Sequence, residues 1–133
     1  MSYDFDIIAI TYDRAAARAD LHAHFSARSG FEQLPSQYGF RGKTGEEGFL
    51  VELIDADDFE DVDTEDEEDP RIAGWIAINY FQSREFYEEA ATEVQALLAG
   101  GKFTLYDPQS EESYTDSFPE KEFVDFMMSI RLD

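Results

Sequence analysis

The amino-acid sequence predicts an α+β fold, in which a five-stranded, mostly antiparallel or mixed sheet carries two helices on one face. A C-terminal helix completes the predicted fold. Two observations support it: short apolar runs alternate with amphipathic helical segments, and they follow the order strand–helix, hairpin, strand–helix, strand–helix. A split β-α-β arrangement with one added strand accommodates this order. The 133 residues suit one domain, so we expect a single domain over residues 1–133.

The first strand is predicted over residues 5–12, a mostly apolar run that is rich in Ile. Good helix formers fill residues 14–29, and Asp13 is the expected N-cap of this helix. Residues 31–38 are predicted to form a connector or an irregular edge, because Pro35 has no N–H to donate to a strand ladder.

A hairpin and a long central strand are predicted next. The hairpin strands cover residues 40–44 and 48–54, and the central strand covers residues 71–81, the most continuously apolar segment. Most aromatic residues in and after this strand are expected to pack in the core: Trp75, Tyr80, Phe81, Phe86 and Tyr87. Two of them, Tyr80 and Tyr87, are expected to hold their hydroxyl groups at an exposed rim, where tyrosine favours partner contacts.

The C-terminal part is predicted to contain two helices around one short strand. Ser83 is the expected N-cap of a helix over residues 84–99, and a strand over residues 102–106 follows. After a polar loop, Ser117 and Glu120 have the S-x-x-E spacing of a capping box, which predicts a docked helix. The apolar face of that helix is expected to consist of Phe123, Phe126, Met127 and Ile130.

Residues 55–69 form an acidic stretch between two predicted strands. Eleven of its fifteen residues are acidic and none is basic. Its apolar residues, Phe59 and Val62, are expected to anchor the stretch to the domain or to a partner, since a purely solvating loop has little use for them. The residues predicted to bind a partner are Asp55, Asp57, Asp58, Phe59, Glu60, Asp61, Asp63, Glu65, Asp66, Glu67, Glu68 and Asp69.

The acidic stretch does not fit a calcium loop of the EF-hand kind, which needs Gly at its sixth position and Glu at its twelfth. A loop that starts at Asp61 has Asp66 sixth and Ile72 twelfth, and one that starts at Asp55 has Glu60 where Gly is needed. No metal or cofactor is therefore expected. Three interpretations remain: a solvated loop, a partner-facing anionic surface, and loose association with divalent cations.

The sequence contains no motif that predicts catalysis. His22 and His24 point about 200° apart on a helix, so they cannot share a metal ion. Glu52 interrupts an apolar strand and is the best single candidate for carboxylate chemistry, but an outward-facing strand residue is the favoured explanation. Phosphate-binding glycine loops and G-x-S-x-G segments are absent, and we expect neither an enzyme nor a catalytic residue.

The net charge of −21 limits the classes of partner. Without the eleven acids of residues 55–69 the charge is still −10, so the acidity extends over the whole chain. Nucleic acids and anionic membranes are disfavoured, because they are bound by clustered Lys and Arg. Basic proteins are attracted instead.

The first residues lack the pattern of a secretory signal and there is no Cys, which together predict a cytoplasmic location.

The segment from Gly100-Gly101 through Phe103-Thr104-Leu105-Tyr106-Asp107-Pro108-Gln109 follows the predicted second helix. This run resembles a helix–Gly–strand–DPQ pattern of several small acidic bacterial proteins, some of which are immunity proteins that neutralise a cognate toxin. The resemblance covers roughly a fifth of the chain and does not include the acidic stretch. It implies a bacterial single-domain α+β protein and favours an inhibitor, and it assigns no contact residue.

Charge, the acidic stretch and the missing catalytic motifs predict a non-catalytic inhibitor that binds a protein with a basic surface, a toxin or a nucleic-acid-binding protein. In this hypothesis residues 55–69 steer association, while neighbouring aromatic residues are the buried anchors. One alternative is a DNA mimic that inhibits a DNA-binding protein with carboxylates at phosphate-like spacing. Another is a housekeeping domain adapted to high salt, which three Lys beside seven Arg favour. A small enzyme that uses a carboxylate is the fourth hypothesis.

Overall fold

One antiparallel sheet organises the part of the chain that the structure describes. A computed structural model describes residues 2–10, 13–34, 37–40, 48–53 and 72–130. In order, the elements are β1 Ser2–Ala9, α1 Arg14–Ser26, β2 Phe31–Leu34, β3 Gln37–Phe40, β4 Phe49–Leu53, β5 Ile72–Asn79, α2 Arg84–Ala99, β6 Phe103–Asp107, β7 Glu112–Tyr114 and α3 Glu120–Ser129. The predicted α+β class is confirmed. The predicted five strands are wrong, because these residues form seven.

The strand order places the first strand near the middle of the sheet. The order is β2-β3-β4-β5-β1-β6-β7, and every pairing among these strands is antiparallel. Because β5 and β6 both run antiparallel to β1, they run parallel to each other, and α2 connects them. This is a split β-α-β unit with β1 inserted between its two strands.

β2 and the first half of β3 lie where a connector or irregular edge was predicted, whereas the predicted hairpin strand over residues 40–44 lies outside the described residues after Phe40. β2 and β3 pair with each other, from Phe31 opposite Phe40 to Leu34 opposite Gln37. Pro35 lies outside the described residues, between the end of β2 and the start of β3. The prediction applied the missing proline N–H to the whole segment, although proline restricts only its own position in a ladder. β7 was not predicted either; it occupies part of the predicted polar loop and pairs with β6.

Side-chain caps set the start of the first two helices, as predicted. Asp13 Oδ1 accepts a hydrogen bond of 3.0 Å from the backbone N–H of Ala16, and Ser83 Oγ accepts one of 3.1 Å from that of Phe86. α2 has the predicted bounds, whereas α1 ends at Ser26, three residues before its predicted end.

The predicted capping box of the C-terminal helix is wrong. α3 begins at Glu120 after Pro119, and no side chain caps its N-terminus. The segment before it is fixed by Gln95 of α2 instead. The Gln95 amide oxygen accepts a hydrogen bond of 2.6 Å from the backbone N–H of Phe118, and its amide nitrogen donates one of 3.1 Å to the carbonyl of Asp116. The segment before α3 is therefore fixed by a side chain of the neighbouring helix α2, and not by the local cap that the sequence predicted.

The core lies between one face of the sheet and the helices. Alternate strand residues point to opposite faces, so the buried positions of β1, β4 and β6 recur with a period of two. The largest fully buried side chains are Tyr38, Tyr87, Phe5, Phe25, Phe49, Phe86, Ile7, Leu21, Ile76, Ile78, Leu97 and Leu98. Tyr87 was predicted at an exposed rim, but its hydroxyl is buried and donates a hydrogen bond of 2.8 Å to the carbonyl of Asn79.

The Asp107-Pro108-Gln109 segment connects the end of β6 to β1. The side chain of Gln109 forms two hydrogen bonds with the backbone of Asp4: it accepts from the N–H at 3.0 Å and donates to the carbonyl at 2.8 Å. Asp107 is buried and accepts a hydrogen bond of 2.9 Å from the backbone N–H of Gln109. The segment that carries the sequence resemblance therefore has a structural role.

Candidate protein-binding surface

The face of the sheet opposite the core, here called the open face, is the main candidate surface. The three helices pack on the other side of the sheet. In the described part of the chain, the open face is formed by alternate residues of four adjacent strands: Asp4, Asp6, Ile8, Leu50, Glu52, Trp75, Ala77, Thr104 and Tyr106. No Lys or Arg occurs in any of these four strands, so the charged groups that they place on it are carboxylates.

A row of directly paired residues crosses the centre of the open face. Glu52 on β4 pairs with Trp75 on β5, Trp75 pairs with Asp6 on β1, and Asp6 pairs with Tyr106 on β6. Side chains in directly opposite positions have their Cβ atoms about 4.5–5.5 Å apart. The indole of Trp75 is therefore flanked by one carboxylate on each neighbouring strand.

Apolar side chains continue the open face on both sides of this row. On one side Leu50 pairs with Ala77, and on the other Ile8 pairs with both Ile72 and Thr104. Trp75 is 38% exposed and Leu50 is 41% exposed. Tryptophan is enriched among the residues that dominate binding energy in protein interfaces, and clustered exposed apolar groups mark such interfaces.

A cavity of about 550 Å³ adjoins Leu50, with Leu34 and Gly39 in its wall. Gly39 keeps this space open, because a Cβ there would lie 3.4 Å from Leu34 Cδ1 and 3.7 Å from Leu50 Cδ2. The cavity gives the open face a concave region beside its exposed apolar side chains, which is the shape that receives a partner's side chain.

Comparison with known proteins adds no relative. Neither a family model, nor a curated protein, nor a solved structure matches this chain. The functional argument therefore depends on the geometry and charge of the described residues.

The predicted partner-binding residues lie outside the described part of the chain. They are Asp55, Asp57, Asp58, Phe59, Glu60, Asp61, Asp63, Glu65, Asp66, Glu67, Glu68 and Asp69, and they remain a prediction. The nearest described residues are Leu53, at the end of β4, and Ile72, at the start of β5. These two strands are neighbours in the sheet, and both contribute side chains to the open face.

Sequence reasoning missed Trp75 as a surface residue, although it favoured an outward-facing position for its neighbour Glu52. Trp75 was predicted to be in the core, because residues 72–78 of this apolar run include no charged, amide or hydroxyl side chain to reveal which positions face outward. A signal was present in β1, where Asp4 and Asp6 alternate with buried Phe5. Since β1 pairs with β5, that alternation identifies the outward-facing positions of both strands.

The two histidines lie apart and have different surroundings, as their helical spacing predicts. His22 Nδ1 lies 2.8 Å from the hydroxyl of Tyr38, and the ring of His24 packs edge-on against Phe25 with 4.9 Å between centroids. His24 Nε2 is buried without a hydrogen-bond partner among the described residues. Nowhere in those residues do three or more His, Cys, Asp or Glu side chains come together in a way that could hold a metal ion.

Burial lowers the pKa of His24, and the nearby Arg28 guanidinium adds to this effect, while Glu93 opposes it. Arg28 itself is held by Glu93 through two hydrogen bonds, of 2.7 and 2.8 Å, which connect the segment after α1 to α2. The folded protein therefore favours neutral His24 and binds fewer protons there than the unfolded chain does. This contribution to stability is complete above the ordinary histidine pKa of 6.5 and declines as the pH falls below it.

We expect His24→Gln to flatten the pH dependence of the free energy of unfolding between about pH 7.5 and pH 5. One proton changes that slope by at most about 1.4 kcal/mol per pH unit. Urea unfolding followed by circular dichroism at a series of pH values measures the effect. Glu85→Gln, an exposed change in α2, is the control. Parallel pH profiles for wild type and His24→Gln would contradict the assignment.

No helix among the described residues is both long enough and apolar enough to cross a membrane.

Proposed function

We propose that this chain is an acidic, non-catalytic protein of the bacterial immunity type, which inhibits a partner protein by covering a basic surface of that partner. The observation that carries the proposal is Trp75, exposed at the centre of the open face between the carboxylates of Glu52 and Asp6. An aromatic anchor with an acidic border matches a basic surface that contains an apolar pocket.

The negative charge of the chain affects the approach of a basic partner before the two proteins touch. A net charge of −21 raises the local concentration of basic proteins and accelerates their association, and salt weakens this effect. The proposal assigns residues 55–69 to this steering step. Burial of Trp75 and Leu50 against the partner then slows dissociation, because desolvated apolar anchors dominate interface energies. Inhibition follows because the covered basic surface can no longer reach its own anionic substrate.

The binding role of Trp75 is tested with the basic proteins encoded beside this gene, each purified and measured by surface plasmon resonance. We expect Trp75→Ala to weaken the affinity by about 30-fold, mainly through faster dissociation, since a hot-spot residue contributes about 2 kcal/mol or more. Phe81→Ala is the matched control, because Phe81 is an exposed aromatic residue in the connection from β5 to α2. Equal effects of the two substitutions would contradict the role of the open face.

The charge is tested separately in the same assay. Glu52→Gln and Glu85→Gln each remove one exposed carboxylate, the first beside Trp75 and the second on α2. We expect Glu52→Gln to slow association more and to reduce its dependence on salt. If no neighbouring protein binds with a Kd tighter than about 1 μM, the immunity-type function is contradicted.

Two alternatives from the sequence predict different outcomes in this assay. A DNA mimic competes with duplex DNA for its partner and depends on carboxylates but not on Trp75. A salt-adapted housekeeping domain has no such partner and unfolds when salt is removed.

A further inference from the structure

A second cavity, of about 410 Å³, lies on the helix-bearing side of the sheet and is distinct from the open face. Its wall combines the start of β1, the end of β6, β7 and the first turns of α3. The buried residues at its base are Phe5, Asp107, Phe118 and Phe123. Its exposed rim includes Glu112, Glu122 and Phe126.

Aromatic rings form most of this cavity. Tyr3 makes edge contacts with Phe123 and Phe126, with ring centroids 6.0 and 5.5 Å apart. On the β7 side, Tyr114 contacts Phe118 with centroids 5.4 Å apart. Phe126 is 48% exposed, although it was predicted on the apolar face of a docked helix. Its exposure leaves an aromatic side chain at the mouth of the cavity.

The charged groups that line the cavity are all carboxylates: Asp107, Glu112 and Glu122. Asp107 accepts hydrogen bonds from the Tyr3 hydroxyl and from the backbone N–H of Ser110, the latter at 3.2 Å. Burial alone would raise the pKa of Asp107, but hydrogen bonds from Tyr3, Ser110 and Gln109 outweigh it and lower that pKa. The carboxylate at the base of the cavity is therefore ionised at neutral pH.

The tyrosine hydroxyls in the cavity stay protonated. Burial, followed by the hydrogen bond to Glu112, raises the pKa of Tyr114 to about 12. The Tyr114 hydroxyl donates that hydrogen bond to Glu112 Oε2 over 3.1 Å. The cavity thus presents a negative charge and several aromatic rings, without a cation of its own among its lining residues.

We propose that this cavity binds an organic cation, an alkylammonium or guanidinium group of side-chain size. Such a cation is attracted both by aromatic ring faces within about 6 Å and by carboxylates, and aromatic and carboxylate side chains both line this cavity. A neutral apolar ligand would desolvate the carboxylates without compensation, and an anion would be repelled. The site does not depend on the proposed function, because it lies on the opposite side of the sheet from Trp75.

The test is a titration of the isotope-labelled full chain with four cations at constant ionic strength, followed by NMR of the aromatic resonances. The cations are tetramethylammonium, spermidine, N-acetyl-lysine methylamide and N-acetyl-arginine methylamide, and N-acetyl-norleucine methylamide is the neutral control. We expect saturable shifts confined to Tyr3, Tyr114, Phe118 and Phe126. Binding of the capped amino acids indicates a basic side chain of a protein as the natural ligand, and selective binding of the free amines indicates a small amine.

Two substitutions locate the site. Glu122→Gln and Phe126→Ala are each expected to weaken binding by about 3- to 30-fold, the range that cation–π and carboxylate contacts span. Glu85→Gln is the matched control, because Glu85 and Glu122 are both acidic residues in the first turn of their helices. Equal effects of the two Glu→Gln changes, equal binding of the norleucine compound, or shifts of equal size at aromatic residues far from the cavity would overturn the proposal.

Discussion

Gly74→Ala is expected to lower the free energy of unfolding by about 2–3 kcal/mol, the upper range for overpacking a rigid site. Gly74 lies on β5, where it pairs with Leu53 on one side and Ile7 on the other. A Cβ at this position would lie 2.4 Å from the carbonyl oxygen of Glu52. That oxygen belongs to the β4 backbone, so it cannot move away without disturbing the ladder that β4 forms with β5.

The measurement is urea unfolding followed by far-UV circular dichroism. Gly100→Ala is the matched control, because a Cβ there comes no closer than 3.5 Å to the Leu97 carbonyl oxygen and Gly100 has a helical φ of −68°. We expect the control to be neutral or slightly stabilising, since alanine restricts the unfolded chain. A decrease of less than about 0.5 kcal/mol in the free energy of unfolding of Gly74→Ala would contradict the packing argument. It would show that the β4 backbone shifts away from the new Cβ at little cost.

Asp107→Asn is expected to lower the free energy of unfolding by about 1.5–3 kcal/mol at neutral pH, the range for hydrogen bonds to a charged group. The Asp107 carboxylate is 1% exposed and accepts hydrogen bonds from the Tyr3 hydroxyl and from the backbone N–H groups of Gln109 and Ser110. An amide offers these donors only one acceptor oxygen, and its NH₂ group faces another donor. Tyr3→Phe removes one of these bonds and should cost less, about 1 kcal/mol.

The effect of Asp107→Asn should also depend on pH. Since the pKa of Asp107 is lowered in the folded protein, its stabilising contribution is present above the ordinary carboxyl value of 3.8 and is lost as the pH falls through the folded value. We therefore expect the difference between wild type and variant to shrink below about pH 4. Asp116→Asn, an exposed change in the same region of the chain, is the control. A difference that is constant over pH would indicate a steric cause instead.

The local elements were the most predictable part of this fold. Asp13 and Ser83 cap their helices as predicted, because a cap acts within three residues of itself. The predicted cap of α3 was wrong because Gln95 on α2, a residue distant in the sequence, fixes the segment before this helix. No local sequence pattern shows that contact. β2 and β3 were missed because the restriction from Pro35 was extended beyond its own position.

The candidate surfaces were less predictable, because pairing between distant strands creates them. Trp75 is exposed through its position on β5 between Glu52 and Asp6, and an apolar run in the sequence does not show which side faces the core. The second cavity joins Tyr3 to Asp107, which are 104 positions apart in the chain. Composition identified the acidity, and the predicted role of residues 55–69 in partner binding stays a prediction because they lie outside the described residues.

The side chain of Gln109 also has a consequence for how copies of this chain meet in solution. β6 pairs with β1 only from Asp6 to Ala9, so the start of β1 continues beyond the end of that ladder. A strand edge with exposed N–H and carbonyl groups is a template for pairing with another molecule, and aggregation can begin there. By occupying both backbone groups of Asp4, Gln109 closes this edge within the molecule. The side chain of Gln109 thereby opposes strand pairing between molecules at the start of β1. Without it, only charge repulsion between acidic molecules would oppose such pairing there.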